Sequence, residues 1–483
     1  MDPPITSGVT KFIEYRRSIG GKSMTDIAHE VATEITGGAE LSRSLKSRHV
    51  SMIAIGGIIG AGLFVGSSTT ISQAGPAAVF SFAIAGFIIL LVMRMLSEMA
   101  IAVDGVQTFP DFARAGLGNL AGFMSGWLYW YFWVVVVAIE AIAGAQILHG
   151  WFPAVPELGI GIALMAILTA VNLMSARAYG EFEFWFSSIK VAAIIVFILV
   201  CAAWAFGLTS GGGSTFGNLT AHDGFVPNGW GVVLAAATST IFSLVGAEIA
   251  TIAAAESEEP SKVIGRMTVS VTVRILIFYI LSIFLIVSVV PWTEIVPKVS
   301  PFATTLAYMG LPAGQLIMEA VVLVAVLSCL NSGLYVTSRA LFGLAKHKDA
   351  PQWLVQVNHH KVPARAILIA SLFSYVALAA DAVSRDVVFS FLINSCGVTM
   401  LLLYLMTSAA QLKLRRKYEA EDPSRLQIKM WFHPYGTYVA MAAMLVILVA
   451  KGLDPSASKE LWLSLLVAGG FAAAFFIFRR RVI

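Results

Sequence analysis

The chain has 483 residues, of which 58% are hydrophobic and only 12% charged, and its formal net charge is +4. Soluble domains carry about 25% charged residues, so this composition excludes a water-soluble globular protein and calls for lipid against much of the surface. The positive charge is divided into short clusters between apolar runs, which argues against a nucleic-acid partner.

In chain order, residues 1–49 form a polar tail, predicted to be cytoplasmic. Its weakly amphipathic stretches, Lys11–Ile19 and Met24–Ile35, are of a kind that is disordered or lies on a membrane surface. The first apolar run starts near Val50, too late for a cleaved signal peptide. A membrane-crossing helix needs about 20 mostly apolar residues. Twelve segments are predicted to qualify: 50–70, 77–101, 119–148, 157–174, 184–207, 229–254, 269–291, 313–340, 364–381, 386–410, 433–451 and 460–478. Short loops make neighbouring spans antiparallel. Of the 32 lysines and arginines, only Lys298, Arg385, Lys451 and Lys459 fall on external segments when the N-terminus is placed inside, and Lys190 lies within span five. Lysine and arginine accumulate on the cytoplasmic side, so both termini are predicted to be cytoplasmic. Cys201, Cys329 and Cys396 all sit in apolar runs, with neither metal-ligand spacing nor a disulfide pattern.

Backbone polar groups in lipid need partners, so irregular backbone survives only where it lines a cavity. Span one carries Gly56, Gly57, Gly60 and Gly62 in seven residues, each weakening a helix by about 1 kcal/mol relative to alanine. Span six places Gly246 and Glu248 at mid-span, after Phe242. Small residues also permit close helix packing, but the adjacent Gly56–Gly57 pair and the added Gly62 favour a break. A half-helix starting after a break presents N–H groups and a positive dipole end, suited to a carboxylate. The carbonyls freed on the other side suit an ammonium group. An amino acid carries both, and paired interrupted helices mark transporter sites.

Ionisable groups inside a membrane are functional candidates. Glu140 lies deep in span three, either as a structural partner, a contact for a substrate ammonium, or a proton carrier. Lys190 lies in span five, either near enough to the helix end for its stem to snorkel to the interface or as a functional charge, and no other residue of 184–207 offers a comparable one. Glu248 either holds the span-six break open by accepting N–H bonds or belongs to a proton path. Arg274 and Glu319 read as boundary residues. On span eight Ser328, Asn331, Ser332 and Tyr335 recur at helical spacing and form a predicted polar stripe; span ten offers Asn394, Ser395 and Thr399. These residues either bond neighbouring helices or line the substrate site and set its selectivity, as is expected of Ser328, Asn331, Ser332 and Asn394. The aromatic group Trp127, Tyr129, Trp130, Tyr131 and Trp133 is expected in an interface belt or in packing.

Longer stretches are recognisable. Residues 45–68 read LKSRHVSMIAIGGIIGAGLFVGSS, 74–76 AGP, 93–99 MRMLSEM, 126–133 GWLYWYFW, 180–185 GEFEFW, 247–257 AEIATIAAAES and 328–332 SCLNS. By these the chain, from about Leu45 to its end, resembles the amino acid–polyamine–organocation superfamily and its bacterial amino acid transporter family, closest to the 4-aminobutyrate (GABA) permeases. The resemblance implies an all-α integral membrane protein of the leucine-transporter type. Two inverted five-helix repeats, about 50–207 and 229–410, would be followed by two extra helices within 433–478. It implies a substrate site between spans one, three, six, eight and ten. Ile59, Gly60, Ala61 and Gly62 would supply amides to the carboxylate, and carbonyls near Ile55, Ile58 and Phe242 would meet the amine. In sodium-coupled relatives a cation sits between spans one, five and eight; in proton-coupled relatives a lysine on span five resembles its substitute, which assigns that place to Lys190. The loop Asp104–Pro110 and the glycine-rich segment 207–217 depart from the family pattern.

The expected function is therefore proton-coupled amino acid import by alternating access, of GABA or a neutral amino acid, across a bacterial plasma membrane. The expected partners are the amino acid, protons and the lipid bilayer, with no cofactor or metal. An obligate amino acid exchanger keeps the fold but needs no proton site. A non-transporting membrane sensor is the alternative of another class, although such proteins usually carry a large soluble extension. An enzyme is not expected: the sequence has no HExxH, no GxSxG after a strand and no phosphate-binding loop.

Overall fold

The computed structural model describes residues 52, 58–103, 108–174, 176–209, 215–246, 248–249, 260–454 and 458–479. The N-terminal tail 1–49, Ile55 and the Gly56–Gly57 pair lie outside the described residues. Among those described the chain is helical, without β-strands, and ten helices are long and apolar enough to cross a membrane. The first of these runs, Gly62–Ala102, is interrupted at Gly75, whose φ of 62° ends one helix just before Pro76 opens a 3₁₀ turn. It therefore holds the second part of predicted span one (a π-helical turn, Gly62–Gly66, then α1, Ser67–Ala74) and span two (α2, Ala78–Ala102). A shorter apolar helix, Gly229–Leu244, holds the first part of span six. Ten of the twelve predicted segments fall on a helix, and the first and sixth do so over part of their described residues.

The remaining helices of eight or more residues are α3 (Phe109–Leu117), α4 (Asn119–Trp151), α5 (Glu157–Met174), α6 (Ala176–Ala205), α7 (Gly229–Leu244), α8 (Pro260–Val289), α9 (Pro301–Tyr308), α10 (Pro312–Lys346), α11 (Ala364–Val383), α12 (Arg385–Glu421), α13 (Tyr435–Leu453) and α14 (Ser458–Arg479). The two short helices, α3 and α9, lie in loops that the hydropathy reading passed over. Spans three, eight and ten extend further than predicted because their helices continue through polar turns. Span five starts earlier, at Ala176, and this brings Glu183 inside it.

The long helices α4 and α10 pack on each other along the middle of the molecule. A Cβ on Gly333 of α10 would stand 2.6 Å from Val137 Cγ2 of α4, so only glycine allows this approach. α2 lies against α7 and α8, and α12 touches both α4 and α7. Tyr129 and Trp133 are fully buried and stack edge to face, so this part of the aromatic group packs the interior and forms no interface belt. The outer faces of α5, α6 and α14 present Ile167, Trp185, Leu199 and Leu466 outward, as lipid-facing surfaces require.

Two polar clasps tie loops to helix ends. Glu98 of α2 accepts Arg415 Nη1 at 2.7 Å and Gln411 Nε2 at 2.8 Å, and Thr437 of α13 donates to Gln411 Oε1 at 2.9 Å. At the start of α3, Asp111 accepts Thr108 Oγ1 at 2.6 Å and lies 2.8 Å from His347 Nε2. Burial opposes ionisation of Asp111, yet the bonds to His347 and Thr108 prevail and hold its carboxyl below the usual value. Arg114 of the same helix pairs with Asp349.

Candidate functional site at the interrupted helices

Span one loses regular helix at Ile59 and Gly60, and the π-helical turn begins two residues later. Three backbone groups there meet side chains from other helices. The Ile58 carbonyl accepts Tyr279 Oη of α8 at 2.9 Å, and the Ile59 carbonyl accepts Lys190 Nζ of α6 at 2.9 Å. The Ala61 N–H donates to both oxygens of Glu140 on α4, each at 3.0 Å. A Cβ on Gly60 would overlap the Glu140 carboxylate and stand 2.7 Å from Cys329 Cβ. The glycine therefore lets α4 and α10 reach the break.

Span six breaks in a matching way. α7 ends at Leu244, Val245 is extended (φ −68°, ψ 148°), and Gly246 has φ 126°, a conformation open to glycine. The Gly246 N–H donates to Glu248 Oε2 at 2.9 Å, so this carboxylate caps the break from within its own segment. The Phe242 carbonyl accepts the Val245 N–H at 3.4 Å. The two breaks touch: Ser243 Oγ donates to the Gly62 carbonyl at 2.8 Å, and a Cβ on Gly62 would lie 2.7 Å from Ser243 Cα.

Lys190 sits between spans one, five and eight. Besides the Ile59 carbonyl it donates to Ser328 Oγ of α10 at 2.8 Å, and Glu183 Oε1 lies 3.9 Å away. All three side chains are buried. Glu183 gathers hydroxyls: Ser328 donates to it, Ser187 donates at 3.1 Å, and Ser332 bonds it as well. The sequence reading missed Glu183 because it drew span five from residue 184, and so treated Lys190 as the lone charge there. The signal was present: Glu183, Ser187 and Lys190 stand at i, i+4 and i+7, one face of a helix.

The other predicted residues divide. Ser328 and Ser332 turn to α6. Asn331 does not join them: its Oδ1 accepts Asn172 Nδ2 of α5 at 2.8 Å, so the predicted stripe splits between two neighbours. The helix advances 100° per residue, and residues three apart diverge enough to meet different partners. Asn394 of α12 accepts Ser239 Oγ of α7 and Lys451 Nζ of α13, both at 3.1 Å. Ser239 is one turn before Ser243, which places Asn394 near the break. Lys451 is buried and lies 3.8 Å from Glu460, although its place at a span end suggested an external charge. Glu319 is a boundary residue, accepting Trp151 Nε1 at 3.2 Å. Among the described residues no cluster of three or more His, Cys, Asp or Glu has a metal site's arrangement.

Helices that span a membrane, two of them interrupted side by side with charged groups docked on the open backbone, define a multi-pass membrane transporter. The sequence profile of the amino acid permease family matches residues 49–481, and the chain belongs to that family. It is 44% identical over 442 residues to the gamma-aminobutyric acid permease of Bacillus subtilis, covering 91% of this chain and 94% of the relative. It is 41% identical over 427 residues to the gamma-aminobutyric acid permease of Escherichia coli, covering 87% and 91%. It is 36% identical over 438 residues to an aromatic amino acid transport protein of Corynebacterium glutamicum, covering 89% and 94%. The protein is thus an amino acid transporter and no enzyme.

Proposed function

We propose that the protein imports GABA or a neutral amino acid together with a proton, by alternating access, across a bacterial plasma membrane with both termini cytoplasmic. The observation that carries this reading is Lys190, whose ammonium group rests on the Ile59 carbonyl at the break and on Ser328. A lysine at mid-membrane costs at least about 2.5–3.5 kcal/mol on insertion scales. A charge kept at that cost, at the meeting point of spans one, five and eight, suits a proton site. The substrate preference is supported by relatives named as GABA permeases at 41–44% identity.

The substrate carboxylate would bind at the amides of Ile59, Gly60, Ala61 and Gly62, with its amine toward Phe242, Asn394 and the carbonyl of Ile58. Glu140 makes this binding conditional. Its carboxylate already holds the Ala61 N–H, and two anions about 4 Å apart repel by about 4 kcal/mol at an effective dielectric constant of 20. A proton on Glu140 removes the conflict, so substrate and proton favour each other's binding. Glu248 contributes mainly by keeping span six open at Gly246. Interruptions in spans one and six, each the first helix of its half, support inverted repeats at about 50–207 and 229–410 with the extra helices after them.

The test is uptake of radiolabelled GABA and a panel of amino acids into proteoliposomes, with and without an inward proton gradient, for wild type and Lys190→Ala. Gradient-stimulated uptake that the variant loses is the expected result. Uptake that ignores the gradient but needs internal amino acid would replace symport by exchange, and binding without any uptake would make the protein a sensor.

A further inference from the structure

We propose that Glu183 is the onward station for the transported proton, receiving it from Lys190 through the hydroxyl of Ser328. This rests on the proton-coupled reading above and extends it to a residue and a route.

The hydrogen bonds form a directed chain. Lys190 Nζ donates to Ser328 Oγ at 2.8 Å, and Ser328 Oγ donates to Glu183 Oε1. Transfer follows the bonds already made. One N–H bond of the Lys190 ammonium breaks and its proton joins Ser328 Oγ. The original Ser328 O–H bond breaks and that proton joins Glu183. Lys190 ends as a neutral amine, Ser328 as a hydroxyl and Glu183 as a carboxylic acid. An ammonium–carboxylate pair becomes a neutral pair, so the transfer step itself adds no net charge to the buried site, which low-dielectric surroundings would penalise.

The charged and titratable groups around the relay come from every packed element. Glu140 of α4 and Cys329 of α10 face Lys190, and Tyr279 of α8 holds the carbonyl adjacent to the one Lys190 uses. Glu183 is joined to Lys190 through a shared hydroxyl, that of Ser328. Glu140 instead holds the Ala61 amide, on the substrate side of the break.

Glu183 also lies in the right direction for release. It precedes Lys190 by seven residues, about 10 Å along the helix axis, toward the end of α6 that the lysine and arginine distribution places in the cytoplasm. Its hydroxyl partner Ser187 shares its single proton between Glu183 at 3.1 Å and the carbonyl of Met52 at 2.8 Å.

The experiment compares wild type, Glu183→Gln, Ser328→Ala and Ser328→Thr in proteoliposomes holding a pH-sensitive dye. Two rates are read with radiolabelled GABA, or with the panel member that wild type accumulates best: gradient-driven accumulation with its proton influx, and counterflow at equal pH on both sides. The ratio of the first to the second should fall by about a hundredfold in Glu183→Gln and Ser328→Ala, the low end of what a positioned proton-transfer group contributes. Ser328→Thr keeps the hydroxyl and should restore much of the ratio. Substrate-induced thermal stabilisation shows that each variant is folded. An unchanged ratio in Glu183→Gln, with gradient-driven wild type, would overturn the relay while leaving proton coupling intact. Equal loss of both rates in all three variants would also overturn it, in favour of a structural role. A wild type indifferent to the gradient would remove the proton-coupled reading itself.

Discussion

Replacing Gly62 by alanine tests whether spans one and six must touch at their breaks. The new Cβ would lie 2.7 Å from Ser243 Cα and 3.2 Å from Ser243 Cβ and Oγ. Carbon atoms in contact prefer about 3.5–4.0 Å, so the two backbones must part by roughly 1 Å. The nearest atom is main chain and cannot rotate away. Overpacking of this kind costs about 1–3 kcal/mol. Separation also breaks the 2.8 Å bond from Ser243 Oγ to the Gly62 carbonyl, worth about 1 kcal/mol net. At about 1.4 kcal/mol per decade, a penalty of roughly 2–4 kcal/mol on the site geometry lowers uptake by roughly 30- to 700-fold. The control is Gly66→Ala, one turn on in the same segment. Its Cβ would meet Ala61 O at 3.7 Å and Ser243 Oγ at 3.8 Å, ordinary contact distances. Its φ of −62° is helical, so alanine should be tolerated. Initial uptake rates in proteoliposomes, normalised to folded protein, decide the matter. A Gly62→Ala variant as active as wild type, or a Gly66→Ala variant equally impaired, would refute the steric argument.

Two further predictions concern the clasps. Arg415→Met leaves Glu98 buried without its 2.7 Å partner and should cost about 3–5 kcal/mol of stability; adding Glu98→Gln should recover part of it in thermal melts, and a double variant less stable than the single one would contradict this. Asp111→Asn removes a carboxylate whose folded-state value lies below the ordinary one. Such a group contributes fully above its unfolded value, about pH 3.9, and loses the contribution as pH falls through the lower folded value. The stability gap between wild type and Asp111→Asn should therefore narrow below about pH 4, and a gap that widens on acidification would contradict the assignment.

Sequence alone was enough for the features that depend on local composition. Apolar runs of membrane-spanning length had to become helices, because backbone groups in lipid have only each other to bond. Gly60 and Gly62 of span one and Gly246 of span six marked where helix would fail, and Lys190 was conspicuous as a charge inside an apolar run. Which groups would meet the released backbone was a different matter. Tyr279 on the Ile58 carbonyl, Glu140 on the Ala61 amide and Glu183 beside Lys190 join residues 79 to 221 positions apart, or depend on a helix beginning eight residues earlier than hydropathy suggested. Helical periodicity tells which residues share a face, but not which neighbour that face will meet. Asn331 and Ser332 are adjacent in sequence yet turn to α5 and α6. Their partners are set by how the helices pack, and that packing rests on close approaches such as Gly333 against Val137, which only the folded chain brings together.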